Sequence, residues 1–326
     1  MKRNLAIIIG LLVFVALTLV FVMHRDRGVN LRVGLFLHTD HPIIEEIRSG
    51  IKDGIDRYAK ENGRVVTWDE KNAHGKADLL AQIAEYFQSG DHRAVIVIGV
   101  PAAQALKSTG IQKAVIFAGP PDPVKAGLVK SLAEHQSPFT GTAYFPPVDL
   151  IVKLLPTLVG ETKNIAVLRN PGETNSSVVA EAFFASAKNN GYKVIDLSAS
   201  NAVELEAALS VLRSKKLPVF IPTDNFMYSN FSLIASSAKQ VNVPIISVTR
   251  LAVEKGAAFS VATDYYDVGL ATAKLALPII FGNTAPKDVA VLQMKEGAIY
   301  VGKDYKDRAA NIPVIEGYPV KVVDRK

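Results

Sequence analysis

The sequence predicts an α/β protein built as two consecutive units, each a parallel sheet covered by helices, behind one N-terminal hydrophobic helix. Three observations carry that prediction. After residue 30, short β-branched apolar runs alternate with stretches of helical periodicity along almost the whole chain. The alternation breaks once, at Phe145, Pro146 and Pro147, and then starts again. Ahead of it stands an uncharged run of 19 residues, 5–23.

That run is flanked by Lys2 and Arg3 before it and by His24, Arg25 and Arg27 after it. As a helix it would be about 28 Å long, close to the roughly 30 Å hydrocarbon core of a bilayer. It ends in Leu19, Val20, Phe21, Val22 and Met23, without the small-residue pattern of a cleavage site. Residues 1–29 are therefore expected to be a signal segment kept as a membrane anchor, with the body outside the cytoplasm; release after signal cleavage is the alternative.

In the first unit, residues 31–37 read as a strand. His41 and Pro42 then open a helix, with Ile43, Ile44, Ile47, Ile51 and Ile55 at helical spacing. Proline suits the first turn, where an amide hydrogen is not needed. A strand at 65–68 and a helix at about 76–89 follow. The unbroken run 94–98 has the pattern of a strand buried on both faces. A helix after Pro101 and strands at 114–117 and 139–144 complete the unit.

The second unit repeats the plan, with strands at 165–168, 194–197, 219–221 and 244–248. Helices start at Asn175, after Asn201 and at Phe226. A helix at 266–281 and the last strands are expected to return to the first unit and cross again, so that several strands form a hinge. The expected lobes are 30–145 with about 263–288, and 146–262 with about 289–326. Parallel strands joined by helices require right-handed crossovers.

Composition excludes several classes. The 326 residues are 49% hydrophobic and 21% charged, with no cysteine, which removes disulfides, thiolate metal sites, cysteine nucleophiles and a lipidated N-terminal cysteine. Of the net charge of +6, half lies within the first 27 residues, so the body lacks the basic stripe of a nucleic-acid binder. No phosphate-binding glycine loop, nucleophile elbow or His-Glu-x-x-His is present. No enzyme activity and no cofactor are expected. His38 and His41 lack an evident third ligand, so no metal is expected either.

Ligands of open parallel sheets bind beyond the carboxyl ends of the strands. That rule selects His38, Thr39, Asp40 and His41; Gly99, Val100, Pro101 and Ala102; and Gly119, Pro120 and Asp122. From the second unit it selects Asn170, Asn175 and Ser176; Thr223, Asp224 and Asn225; and Thr249. Several of these loops end at helix N-termini, which favour an anionic group. Asp264 and Tyr265 stand near the expected hinge, where Tyr265 could cover a planar ligand. Each residue taken singly is also an ordinary helix cap.

Several segments recur together in one order. They are His41-Pro42, Pro101-Ala102-Ala103-Gln104, Asp122-Pro123 with Ala126-Gly127-Leu128-Val129, and Asn170-Pro171-Gly172-Glu173 with Asn175-Ser176. Pro222-Thr223-Asp224-Asn225 and Asp264-Tyr265-Tyr266-Asp267 with Gly269 complete the set. Over about residues 31–300 the chain thus resembles the ABC-transporter substrate-binding proteins that include tryptophan- and tyrosine-binding members. The resemblance implies a type I periplasmic-binding-protein fold, with two Rossmann-like lobes, a three-strand hinge and closure on a small ligand such as an amino acid. It also implies a membrane permease and a cytoplasmic ATPase as partners. The chain departs from the family at Val100 and Pro121, where threonine is usual, and at Val248-Thr249, where Ser-Asp is frequent. Asp224 and Asp264 are the acidic side chains left to hold a ligand ammonium. A membrane-anchored sensory module is the alternative to transport.

Overall fold

The computed structural model describes residues 30–133 and 136–325; the expected N-terminal helix lies outside them. The first sheet holds β1 (Asn30–Leu37), β2 (Val65–Asn72), β3 (Ala94–Ile98), β4 (Val115–Ala118), β5 (Phe139–Tyr144) and β11 (Leu292–Met294). Their order is β11-β5-β4-β3-β1-β2, and every pairing is parallel. Between the strands run α1 (Pro42–Glu61), α2 (Ala77–Ser89) and α3 (Val100–Ser108).

All five side chains of β3 are buried, as its unbroken apolar run requires of a central strand. β2 continues four residues past its apolar start. As an edge strand it tolerates Asp69, Glu70, Lys71 and Asn72 while keeping register with β1. At the β3–α3 turn, Gly99 has φ +99°, and a Cβ there would lie 2.6 Å from His38 Cβ. Only glycine serves at that position.

The second lobe holds α4 (Val148–Leu158), β6 (Asn164–Arg169), α5 (Thr174–Asn189), β7 (Lys193–Ser198), α6 (Ala202–Lys215) and β8 (Val219–Phe220). The helix expected at Phe226 is two pieces, α7 (Asn225–Ser229) and α8 (Phe231–Gln240), followed by β9 (Ile245–Ser247), α9 (Arg250–Glu254) and β10 (Phe259–Ala262). The chain then forms α10 (Tyr265–Ile280) against α1 and adds β11 to the first sheet. It ends with β12 (Ala298–Gly302), α11 (Lys306–Ala309) and β13 (Val320–Val323) in the second sheet, whose order is β13-β12-β10-β9-β8-β6-β7.

Two differences from the sequence reading follow from this return. β11 pairs with β5, so the last crossing falls after Met294 and not near residue 289. β12 runs antiparallel to β10, whereas a wholly parallel sheet was expected. The physical reason is the point of entry. β11 runs parallel to β5 and ends at the carboxyl edge of the first sheet, and the short link 295–297 brings the chain into the second sheet beside the carboxyl end of β10, so β12 must run back along it.

The chain passes between the sheets three times: after β5, after β10 and after β11. One apolar cluster runs from Leu35, Ile47 and Ile51 in the first lobe to Phe183, Phe220 and Phe259 in the second. The Tyr144 and Tyr265 rings belong to it and meet edge to face at 6.2 Å beside the crossings. A separate cluster around Phe36, Phe87, Phe117 and Phe139 fills the other face of the first sheet.

Candidate functional site: the cavity between the lobes

The carboxyl ends of both sheets border a narrow cavity, whose 420 Å³ of empty space includes open solvent and leaves about 40 Å³ for the centres of water molecules. From the first lobe it is lined by His41, Ile43, Ile44 and Ile47 of α1 and its entry, by Ile98, Gly99 and Val100, and by Ala118, Gly119, Pro120 and Pro121. Asn175, Thr223, Asp224, Asn225, Tyr228 and Tyr265 complete the lining. The first lobe therefore supplies an apolar wall and the second most of the polar groups. Among the described residues, no lysine or arginine lines the cavity. A larger groove, with Lys239, Lys255, Arg308 and Arg325, opens at the amino ends of β9 and β10, away from this cleft.

Two buried carboxylates organise the polar end. Asp224 Oδ1 accepts the Met227 amide at 2.8 Å and so caps α7. Its Oδ2 accepts the Asn170 amide at 2.5 Å and the Ser176 hydroxyl at 2.6 Å. Glu173 caps the same helix from α5: Oε2 accepts the Asn225 amide and Oε1 the Phe226 amide, both at 3.0 Å. Burial, reinforced by the charge of Glu173, pushes the Asp224 carboxyl up to about 7.

His41 joins the lobes. Its Nε2 lies 3.1 Å from Asn225 Oδ1, and its ring sits 6.2 Å from that of Tyr228. Burial lowers its pKa to about 4, against the opposing pull of the Asn225 bond and Glu173. Burial lowers His38 as well, with Glu173 partly opposing. Burial raises both Tyr228 and Tyr265, which keeps the two phenols protonated. Other contacts also bridge the lobes. Gln104 Nε2 donates to Thr174 Oγ1 at 3.2 Å, Arg250 pairs with Glu46, and Lys125 Nζ lies 3.9 Å from Glu181.

Of the expected contact residues, the cavity gathers His41, Gly99, Val100, Gly119, Pro120, Asn175, Thr223, Asp224, Asn225 and Tyr265. The others stand behind it or beside it. His38 packs under Gly99. Asn170 and Ser176 hold Asp224. Asp122 Oδ1 accepts the amides of Val124 and Lys125 in its own turn. Ala102 is in the first-lobe core, and Pro101 lies in the first turn of α3. Thr249 and Asp264 cap α9 and α10. Thr39, Asp40 and Asp264 border an adjoining depression beside α1 that shares His41 and Ile44 with the cavity; there Asp40 accepts from Asn72 Nδ2 at 2.5 Å and pairs with His74.

The sequence reading did not select Ile43, Ile44, Ile47, Ile98, Ala118 or Tyr228 as lining residues; Pro121, within the strand-end loop 119–123, does line the cavity, and Glu173 was read only as part of the loop 170–176 and not as a buried carboxylate. The isoleucines carried only the signal of an amphipathic helix. Glu173 had one usable cue, an acidic residue immediately before a helix that starts beyond a strand end.

Comparison with known proteins agrees with this geometry. A family model described as ABC transporter substrate binding protein matches residues 32–309. A tyrosine-binding protein of Clostridioides difficile (strain R20291) is 28% identical over 279 residues, covering 86% of this chain and 81% of that protein. Among solved structures, the ABC domain from Streptococcus pneumoniae in complex with L-Trp is 28% identical, with a TM-score of 0.81 over 89% of this chain and 100% of that one. A ligand-free, open substrate binding protein with adhesive properties from Clostridium difficile is 27% identical, with a TM-score of 0.65 over 91% and 100%. A matched family model that spans most of the described residues, on two lobes with parallel sheets, settles the affiliation. The chain belongs to the ABC transporter substrate binding protein family.

Proposed function

We propose that this chain is an extracytoplasmic solute receptor for an ABC importer, which binds an aromatic amino acid between its lobes and closes around it without chemical conversion. The observation that carries the reading is the cavity itself, with an isoleucine and proline wall on one side and Asn175, Thr223, Asp224 and Asn225 on the other. An aromatic side chain would lie against Ile43, Ile47, Pro120 and Tyr265. The ammonium would lie toward the second lobe. With no cationic side chain in the lining, a ligand carboxylate would rely on the amides at the starts of α1 and α3.

The names of the relatives support tyrosine or tryptophan as ligand. The higher TM-score to the L-Trp complex than to the ligand-free, open protein supports a shut arrangement of the lobes here. Within this reading, 30–145 with 263–294 form one lobe and 146–262 with 295–325 the other. Residues 1–29 hold the protein to the membrane, and a permease with its ATPase receives the ligand.

A thermal-shift screen of amino acids tests the proposal, because a ligand that binds only the native state stabilises it by mass action. At a concentration about 100 times Kd the gain is about 2.7 kcal/mol, which raises the midpoint by several degrees. Tyrosine or tryptophan is expected to do this, and glutamate is not. A midpoint unmoved by any amino acid would contradict the proposal.

A further inference from the structure

The donor and acceptor pattern of the cavity is set by a residue that does not line it. Glu173 is buried, and its carboxylate can only accept hydrogen bonds. Besides the two backbone amides of α7, its Oε2 takes Asn225 Nδ2 at 2.5 Å and Asn175 Nδ2 at 3.0 Å. Both side-chain amides are thereby oriented. If Asn225 were flipped, its oxygen would face the carboxylate. If Asn175 were flipped, its oxygen would face both the carboxylate and the Thr223 carbonyl, to which Nδ2 donates at 2.8 Å.

The orientation passes on to His41. Asn225 Oδ1 is an acceptor, so His41 Nε2, 3.1 Å away, must be the donor. A neutral imidazole protonated at Nε2 carries a bare lone pair on Nδ1. His41 Nδ1 is buried and has no partner among the described residues. Asn175 Oδ1 is likewise buried and unpartnered, and so is Thr223 Oγ1. All three residues line the cavity.

Building on the cleft assignment above, we infer that Glu173 is a positioning residue that turns the polar end of the cavity into an acceptor site. The site therefore selects ligands that present N–H donors, an ammonium group above all, over ligands of the same shape without one. Selectivity arises because a ligand lacking the donor leaves buried acceptors unpaired.

Two measurements test this. In ¹⁵N NMR of the full chain, with the His41 signals assigned by their loss in His41→Gln, the ring is expected as the Nε2-protonated neutral tautomer at pH 7. The Nδ1-protonated tautomer or an imidazolium would overturn the inference. In calorimetry, L-tyrosine is compared with 3-(4-hydroxyphenyl)propionate, which lacks only the amine, and L-tryptophan with its own desamino analogue. The wild-type chain is expected to favour the amine by about 10- to 150-fold, and Glu173→Gln to bring that ratio toward one.

Equal losses for both members of a pair would make Glu173 a structural cap and overturn the inference. If Glu173→Gln does not fold, Asn175→Leu removes one acceptor while leaving the Glu173–Asn225–His41 chain intact, and must show the same selective loss. Wild type that binds both members equally removes this inference and leaves the cleft assignment standing. Wild type that binds none of the four contradicts the cleft assignment and the inference together.

Discussion

Asp224 and His41 face one cavity and titrate in opposite senses, and this gives the site a pH signature. Asp224, pushed up to about 7, keeps its proton in the folded protein where an unfolded chain has already released it. Its contribution to stability therefore falls as pH rises from about 4 to about 7. His41, lowered to about 4, is neutral in the folded protein where an unfolded chain is still protonated. Its contribution rises from about pH 4 to about 6.5, so the two slopes offset each other in the wild type. Urea midpoints measured against pH are expected to separate them. Asp224→Asn should gain stability between pH 4 and 6.5, and His41→Gln should lose stability up to pH 7, each on the order of 2 kcal/mol. Parallel pH profiles for the two variants would contradict this account of the burial. Asp224 was legible from its place before a helix beyond a strand end. Its saturation by Asn170, Ser176 and Met227 was not, because those partners meet only in the fold.

At the level of elements, the seam between α1 and α10 fixes the first lobe beside the crossings. A Cβ on Gly269 would lie 2.3 Å from the Ile47 carbonyl oxygen, and one on Gly50 would lie 2.2 Å from that of Tyr266. Backbone cannot move aside as a flexible side chain would. Gly269→Ala is therefore expected to destabilise the protein by about 1–3 kcal/mol through overpacking, despite a helix-propensity gain of about 1 kcal/mol. An unchanged or higher urea midpoint would contradict this close approach. The alternation of strands and helices was legible because buried parallel strands and amphipathic helices carry different hydrophobic periods. The polar half of β2 and the reversed β12 were not. The first depends on an edge position, and the second on where the returning chain re-enters the sheet.

For the whole molecule, the rule that ligands sit beyond strand carboxyl ends located the cleft, and half of the selected loop residues line it. The other half stand behind or beside it: Asp122 caps its own turn, and Asn170 holds Asp224 from a neighbouring loop. An isoleucine stripe reads the same whether it covers a sheet or faces a ligand, which kept Ile43, Ile44 and Ile47 out of the expected site. The proposed receptor would work mechanically, its lobes shutting on a ligand and parting without it. Because the chain has no cysteine, Lys125→Cys and Glu181→Cys would place two spin labels on opposite lips, where the native side chains lie 3.9 Å apart. Double electron–electron resonance should give a broad or longer distance distribution without ligand, and a single short one with saturating tyrosine or tryptophan. A distribution that stays the same while calorimetry shows the ligand bound would contradict the account.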